Sequence, residues 1–341
     1  MTSTALISRS TTATALAREH GHARDADVVF HEDTHSYIVR GMCAPLSVTG
    51  LINSVIAEPF DAAGVAAKLA ARPSRKYNAG KGPDGQLLPL SAAAILASWD
   101  ARRDLGTDLH GKIELYLNGT PEAELFGGFV ADTADTDTMA ETGDVADAAL
   151  PSPPVNYPEF QQFKRWFDAC GLEAYRTEWV IYAMTDDAGF RKLVLGTLED
   201  AAAAAASAAS KPFIAGSVDF VGRNPVTGNY VIVDWKRCAH GAAESGFAAS
   251  YGGVKMLPPA DALDECKLSH WAIQVNIYRC ILEACYGITV ERMLMLVLYP
   301  GQDEAVEYEH ARDDTVAAAL LRQQCSRICG NSVPVPAHVR H

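Results

Sequence analysis

The run RMLMLVLY, residues 292–299, constrains the fold more than any other stretch of the chain. It is apolar from its second residue to its closing tyrosine, so a strand made from it has no face suited to water. It must lie inside a sheet covered by helices on both sides. The neighbouring segments supply the other layers. RTEWVIYAM (176–184), FIAGSVDFVGR (213–223) and YVIVDWKR (230–237) are short β-rich runs, the last two separated by the turn residues Asn224, Pro225, Gly228 and Asn229. They form a meander. A helix over 158–170 precedes them, and a helix from 270 to about 286 follows. The order helix, three strands, helix, strand predicts an α/β fold: a mixed sheet flanked by helices, with insertions.

Upstream, HSYIV (35–39) is alternating strand material, and SVTGLINSVI (47–56) opens a helix at a Ser or Thr cap. Residues 79–89 read as a Gly- and Pro-rich loop. From 91 to about 117, Ile95, Trp99, Gly106, Ile113 and Leu117 recur at helical spacing, which predicts one long amphipathic helix. Segment 120–157 holds eight acids, no Lys or Arg, and ends in PSPP. It reads as an acidic linker that carries no core. The Ala run 201–209 reads as an insertion, and 239–267 as a connection. The resulting division is a disordered leader at 1–26, strands and helices at 27–119, the linker at 120–157, a core at 158–305, and a helix with a tail at 306–341.

The net charge is −13, but outside 120–157 it falls to −5, from 29 basic and 34 acidic residues. A broad basic nucleic-acid face is therefore not supported, and any such contact should be a local groove. The eight cysteines form no CxxC pair and no small-domain disulfide framework, so reduced thiols are expected. No apolar run approaches the roughly 20 residues of a bilayer-spanning helix, and the leader lacks a secretory apolar run. A soluble intracellular protein is expected, cytoplasmic or nuclear. A mitochondrial transit peptide is the alternative reading of the leader.

In an extended strand, residues two apart share a face, so Asp234 and Lys236 of VIVDWKR project together. The preceding strand supplies Asp219 in GSVDF, and the short turn brings it beside Asp234. Two close carboxylates repel unless a cation lies between them, and magnesium or manganese is the expected answer. Lys236 then suits developing negative charge or an attacking water. The plainer alternative is a pair of solvated strand-end acids with an ordinary ion-pair lysine.

GSVD, followed fifteen residues after its Asp by DWK, resembles the PD-(D/E)XK nuclease superfamily, whose core has the element order read above. Gly-x-x-x-His in GTDLH (106–110) and Gln-x-x-x-Tyr in QVNIY (274–278) are similar to motifs of the branch holding RecB-type nuclease domains, CRISPR-adaptation exonucleases and mitochondrial single-strand exonucleases. SVTG (47–50) resembles an amino-terminal motif of viral and protozoan relatives. The resemblance spans about residues 90–300, less the insertions, and implies a restriction-endonuclease-like core. It implies a metal-dependent deoxyribonuclease acting on single-stranded DNA or DNA ends, alongside protein partners of replication, repair or recombination. By that resemblance His110, Asp219 and Asp234 would hold the metal, and Lys236 would position water and stabilise charge. Gln274 and Tyr278 would orient the site and the strand. Glu178 in RTEWVIY is a further candidate acid. A catalytically weak binding or assembly subunit and a structure-specific endonuclease stand as alternatives. An iron–sulfur cluster is not expected, since only Cys325 and Cys329 follow the sheet.

Overall fold

In the computed structural model, which describes residues 14–57, 60–72, 74, 77–126, 157–195, 210–238, 247 and 253–329, the elements follow one another along the chain. They are α1 (Ala15–Glu19), a 3-10 turn (Ala23–Asp27), β1 (Val28–His31), β2 (Ser36–Val39), β3 (Met42–Cys43), α2 (Val48–Val55), α3 (Ala62–Ala71), α4 (Ala92–Leu117), α5 (Glu122–Leu125) and α6 (Pro158–Cys170). There follow β4 (Glu173–Met184), α7 (Ala188–Leu195), β5 (Pro212–Arg223), β6 (Tyr230–Arg237), α8 (Lys267–Cys285), β7 (Val290–Leu298), β8 (Val306–Glu309) and α9 (Asp314–Cys329).

Five strands form one mixed sheet in the order β4-β5-β6-β7-β8. β4, β5 and β6 are the antiparallel meander, whereas β7 runs parallel to β6. Parallel neighbours need a crossover, and α8 lies within it. Residues 293–298 of β7 are all buried, as the apolar run requires. Met293, Met295 and Val297 pack on the side of α8, while Leu294, Leu296 and Leu298 pack with Leu109 and Ile113 of α4 and Phe160 and Phe163 of α6. Each such side chain contributes about 1.5–3 kcal/mol by leaving water. The helix ends follow local chemistry. Pro158 opens α6 with its fixed backbone angle, and Gly171, at φ +68°, closes it in the left-handed region. Ser91 caps α4 by accepting from the Ala94 N–H at 3.1 Å. No helix among the described residues is long and apolar enough to cross a membrane.

Four sequence expectations need correction. The leader is folded from residue 14 onward: Asp25 is buried, ion-paired to Arg176 at 2.7 Å, and accepts the Trp179 indole N–H at 2.9 Å. Arg24 lies over the Tyr182 ring and grips Asp187 with both terminal nitrogens, at 2.8 and 2.9 Å. These are polar anchors, which hydrophobic periodicity does not reveal. The 120–157 linker is packed at its margins, where Leu125, Phe126 and Tyr157 join the α4–α6 core. Its interior, 127–156, lies outside the described residues, as do 1–13, 201–209 and 330–341. Residues 306–309, assigned to a helix and tail, form β8 on the sheet edge, with Glu307 and Glu309 paired to Arg292. The boundary drawn after 119 dissolves too, because β1 and β2 pack on β4 and β5, and α4 packs on β6.

Candidate metal centre

The register of β5 and β6 brings two acids together. Their ladder pairs Gly222 with Val231 and Phe220 with Val233, then stops. The next pair in line is Asp219 and Asp234. Here the Trp235 backbone N–H donates to the side-chain Oδ2 of Asp219 at 3.1 Å, so a carboxylate is built into the opening of the sheet. Burial, and after it the Asp234 charge, push Asp219 well above the usual carboxylate range, against the pull of His110. Asp234 itself is 1% exposed, and its Oδ2 lies 2.6 Å from Nζ of Lys236. Apart from that ion pair, neither Asp234 oxygen has a hydrogen-bond partner among the described residues. Burial works against the Lys236 charge, but Asp234 and Asp219 outweigh it and raise its pKa. The lysine is held as a cation.

His110 reaches the same place from α4. Its Nε2 lies 3.0 Å from the Trp235 carbonyl oxygen. A carbonyl only accepts, so Nε2 carries a hydrogen and Nδ1 is the nitrogen turned to the acids. It stands 3.6 Å from Asp219 Oδ2 and 3.7 Å from Glu178 Oε1. Burial opposes charge on this ring, yet the Asp219 and Glu178 carboxylates prevail and lift its pKa to about 9.

Glu178 completes the cluster from β4. The pairs Thr177–Phe220 and Trp179–Val218 set it opposite Asp219, and its Oε2 accepts from the Ser217 hydroxyl at 3.0 Å. Its φ is +41°, in the left-handed region that costs a non-glycine residue on the order of 1 kcal/mol or more. The strain therefore falls on the β4 residue whose carboxylate enters the site.

Gln274 and Tyr278 lie one turn apart on α8, with the Gln274 Nε2 donating to the Tyr278 hydroxyl at 3.1 Å. The ring of Tyr278 rests on Gly216, where an added Cβ would sit 2.7 Å from Cε1 and 3.1 Å from Cγ2 of Val48. The glycine of GSVD thus makes room for the aromatic ring of QVNIY. Ser47 of SVTG caps α2 by accepting from the Gly50 N–H at 2.9 Å and bridges to Ala215. Burial, then the nearby Tyr37, and more weakly Asp234 and Asp219, push Tyr278 well above the usual phenol range. Tyr37, from β2, was not singled out in the sequence. Its buried hydroxyl bonds the Ser217 backbone, and burial and then Glu178 raise its pKa. Its only signal is its place in the alternating HSYIV, which gives no link to a motif so far along the chain.

The ligand atoms of His110, Glu178 and Asp219 all lie within 4.8 Å of one another. A cation with bonds of roughly 2.0–2.6 Å can span such a set with small side-chain rotations. A ligating histidine ordinarily donates its other N–H to a carbonyl or carboxylate, as His110 does to Trp235. Two carboxylates and one imidazole, with the donor-poor Asp234 beside them, fit a divalent cation. Of the expected ligands, His110 and Asp219 come together. Glu178 is their third partner, while Asp234 stands next to the group and meets Lys236.

No family model and no curated protein matches the chain. Among solved structures, the one described as the crystal structure of SSO0001 aligns over 50% of this chain and 57% of that chain, at 14% identity and a TM-score of 0.26. A likeness of that size carries no argument.

Proposed function

We propose that the chain is a magnesium- or manganese-dependent deoxyribonuclease with a PD-(D/E)XK core of the RecB-type branch, hydrolysing phosphodiester bonds in single-stranded DNA or at DNA ends. The observation that carries this reading is the meeting of His110, Glu178 and Asp219 beside a buried Asp234–Lys236 pair. A bound divalent cation would supply Lewis-acid stabilisation of the scissile phosphate and a more acidic water. His110, Glu178 and Asp219 would hold it. Lys236, kept protonated by two carboxylates, is a preformed positive charge for the attacking water or the phosphate oxygens. Asp234 fixes the Lys236 ammonium in place. Burial keeps Tyr278 a neutral phenol against Gly216, and the hydrogen bond that Gln274 donates orients it in the wall of the site without adding charge.

Labelled linear single strands, linear duplexes and circular single strands, incubated with magnesium, manganese or a chelator, test the reading. Metal-dependent shortening of linear single strands with intact circles is expected of an end-directed enzyme. A cut circle assigns an endonuclease, and binding without cleavage under every condition rejects the enzymatic reading.

A further inference from the structure

One helix face runs away from the metal cluster and is not explained by it. An α-helix closes three turns in 10.8 residues, so Trp99 and His110, eleven apart on α4, share a stripe about 16 Å long. Gly106 lies on it between them, as does Arg103, which is ion-paired to Asp100 at 3.1 Å and to Asp104 at 3.9 Å. The buried side of α4, with Ile95, Leu105, Leu109 and Ile113, is the adjacent flank. A glycine lowers helix stability, yet a Cβ at Gly106 would meet no described atom within 4 Å. Its smallness is thus not needed for packing by the described part of the chain. At the far end of the stripe, Trp99 donates its indole N–H to the Tyr77 hydroxyl at 3.0 Å and lies 5.9 Å, ring to ring, from Phe60. Phe60 is 70% exposed, second only to Val226 among the large apolar side chains of the described residues. Charge marks the same segment. Residues 60–103 carry seven Lys and Arg against three Asp, within a chain of −13. Lys68 and Arg72, one turn apart on α3 and at its end, are exposed, and α3 packs against α4.

We propose that this α3–α4 face binds single-stranded DNA, with bases stacked on Phe60 and the half-buried Trp99 and phosphates held by Lys68 and Arg72, the strand passing Gly106 on its way to His110. The exposed Phe60 ring, backed by the half-buried Trp99 and followed by basic side chains, is the chemistry that grips a flexible strand without reading its sequence. A duplex hides its base faces and has no use for the Phe60–Trp99 platform. That the strand ends at His110 rests on the nuclease reading, whereas the binding itself does not.

Fluorescence anisotropy of a labelled oligo(dT) of about ten nucleotides, with the full chain in chelator so that nothing is cut, tests the proposal. Phe60→Ala removes an exposed ring and leaves the core untouched. It should weaken binding roughly fivefold or more, the loss of one stacked base. Lys68→Glu with Arg72→Glu should weaken it further and flatten its dependence on salt. Wild-type affinity in both variants, or a wild-type chain that prefers duplex to single strand, overturns the proposal. Cleavage by the wild type with unaffected variants leaves the nuclease reading standing and removes this one. Binding lost in the variants of a chain that never cleaves does the reverse.

Discussion

Raising the pH should tighten binding of a divalent metal, because His110 begins as an imidazolium. Burial disfavours that charge, but Asp219 and Glu178 hold the pKa at about 9 in the metal-free protein. An imidazole ligates through a lone pair, so the Nδ1 proton must leave before the metal can take its place. With a pKa of about 9, roughly one ring in a hundred is neutral at pH 7, one in ten at pH 8 and half at pH 9. Affinity should therefore rise about tenfold, or about 1.4 kcal/mol, from pH 7 to 8, about fivefold more to pH 9, and then level off. The raised pKa of Asp219 acts in the same direction at the lower end of this range. The metal-free fold has the opposite dependence: a histidine raised above its unfolded value of about 6.5 adds stability that is complete below that pH and is lost as pH climbs through about 9. Titration calorimetry with magnesium, in two buffers of different ionisation heat, reads both the affinity and the protons released. His110→Ala should flatten the dependence above pH 8. Equal affinity at pH 8 and 9 in the wild type, or the same slope in the variant, would refute the assignment of Nδ1.

Lys236→Ala should abolish cleavage while metal binding survives, because the lysine touches Asp234 and lies outside the His110–Glu178–Asp219 group; calorimetric loss of metal with retained cleavage would reverse its role. Asp25→Ala leaves Arg176 buried without its carboxylate and should cost about 3–5 kcal/mol, read by urea unfolding; a cost under about 1 kcal/mol would show that the amino-terminal segment is not anchored there. Gly106→Ala should stabilise the fold by up to about 1 kcal/mol, since α4 gains helix propensity and the new methyl meets no described atom. A lower melting temperature in that variant would reveal a contact that the described residues do not contain.

The parts of this fold that were legible in the sequence are those whose cause is local. The two-sided apolar run of β7 and the Pro158 and Gly171 punctuation of α6 depend on neighbouring residues, and each element lies where its pattern places it. The period-2 alternation of β6 likewise put Asp234 and Lys236 together, and the ion pair follows from it. What escaped was set by contacts between distant segments. Asp25 is fixed by Arg176 and Trp179, and no periodicity surrounds it to betray a buried acid. The entry of Glu178 into the cluster depends on a left-handed backbone in mid-strand, a conformation that RTEWVIY does not announce. Tyr37 comes from a separate three-stranded sheet whose docking on β4 and β5 is a tertiary event. β8 is a four-residue edge strand with two glutamates, too short and too charged to stand out.

The most direct test of the central claim is cleavage of an end-labelled single-stranded oligonucleotide by the purified chain in manganese, beside the same protein in chelator and an Asp219→Asn variant of matched purity. Asp219→Asn is nearly isosteric and removes one negative charge from the cluster that joins His110 and Glu178. Cleavage confined to the wild type with metal, and absent from the variant and the chelator control, is the predicted result. Cleavage that persists at the wild-type rate in Asp219→Asn, or that ignores the chelator, would contradict a metal-dependent nuclease centred on these residues.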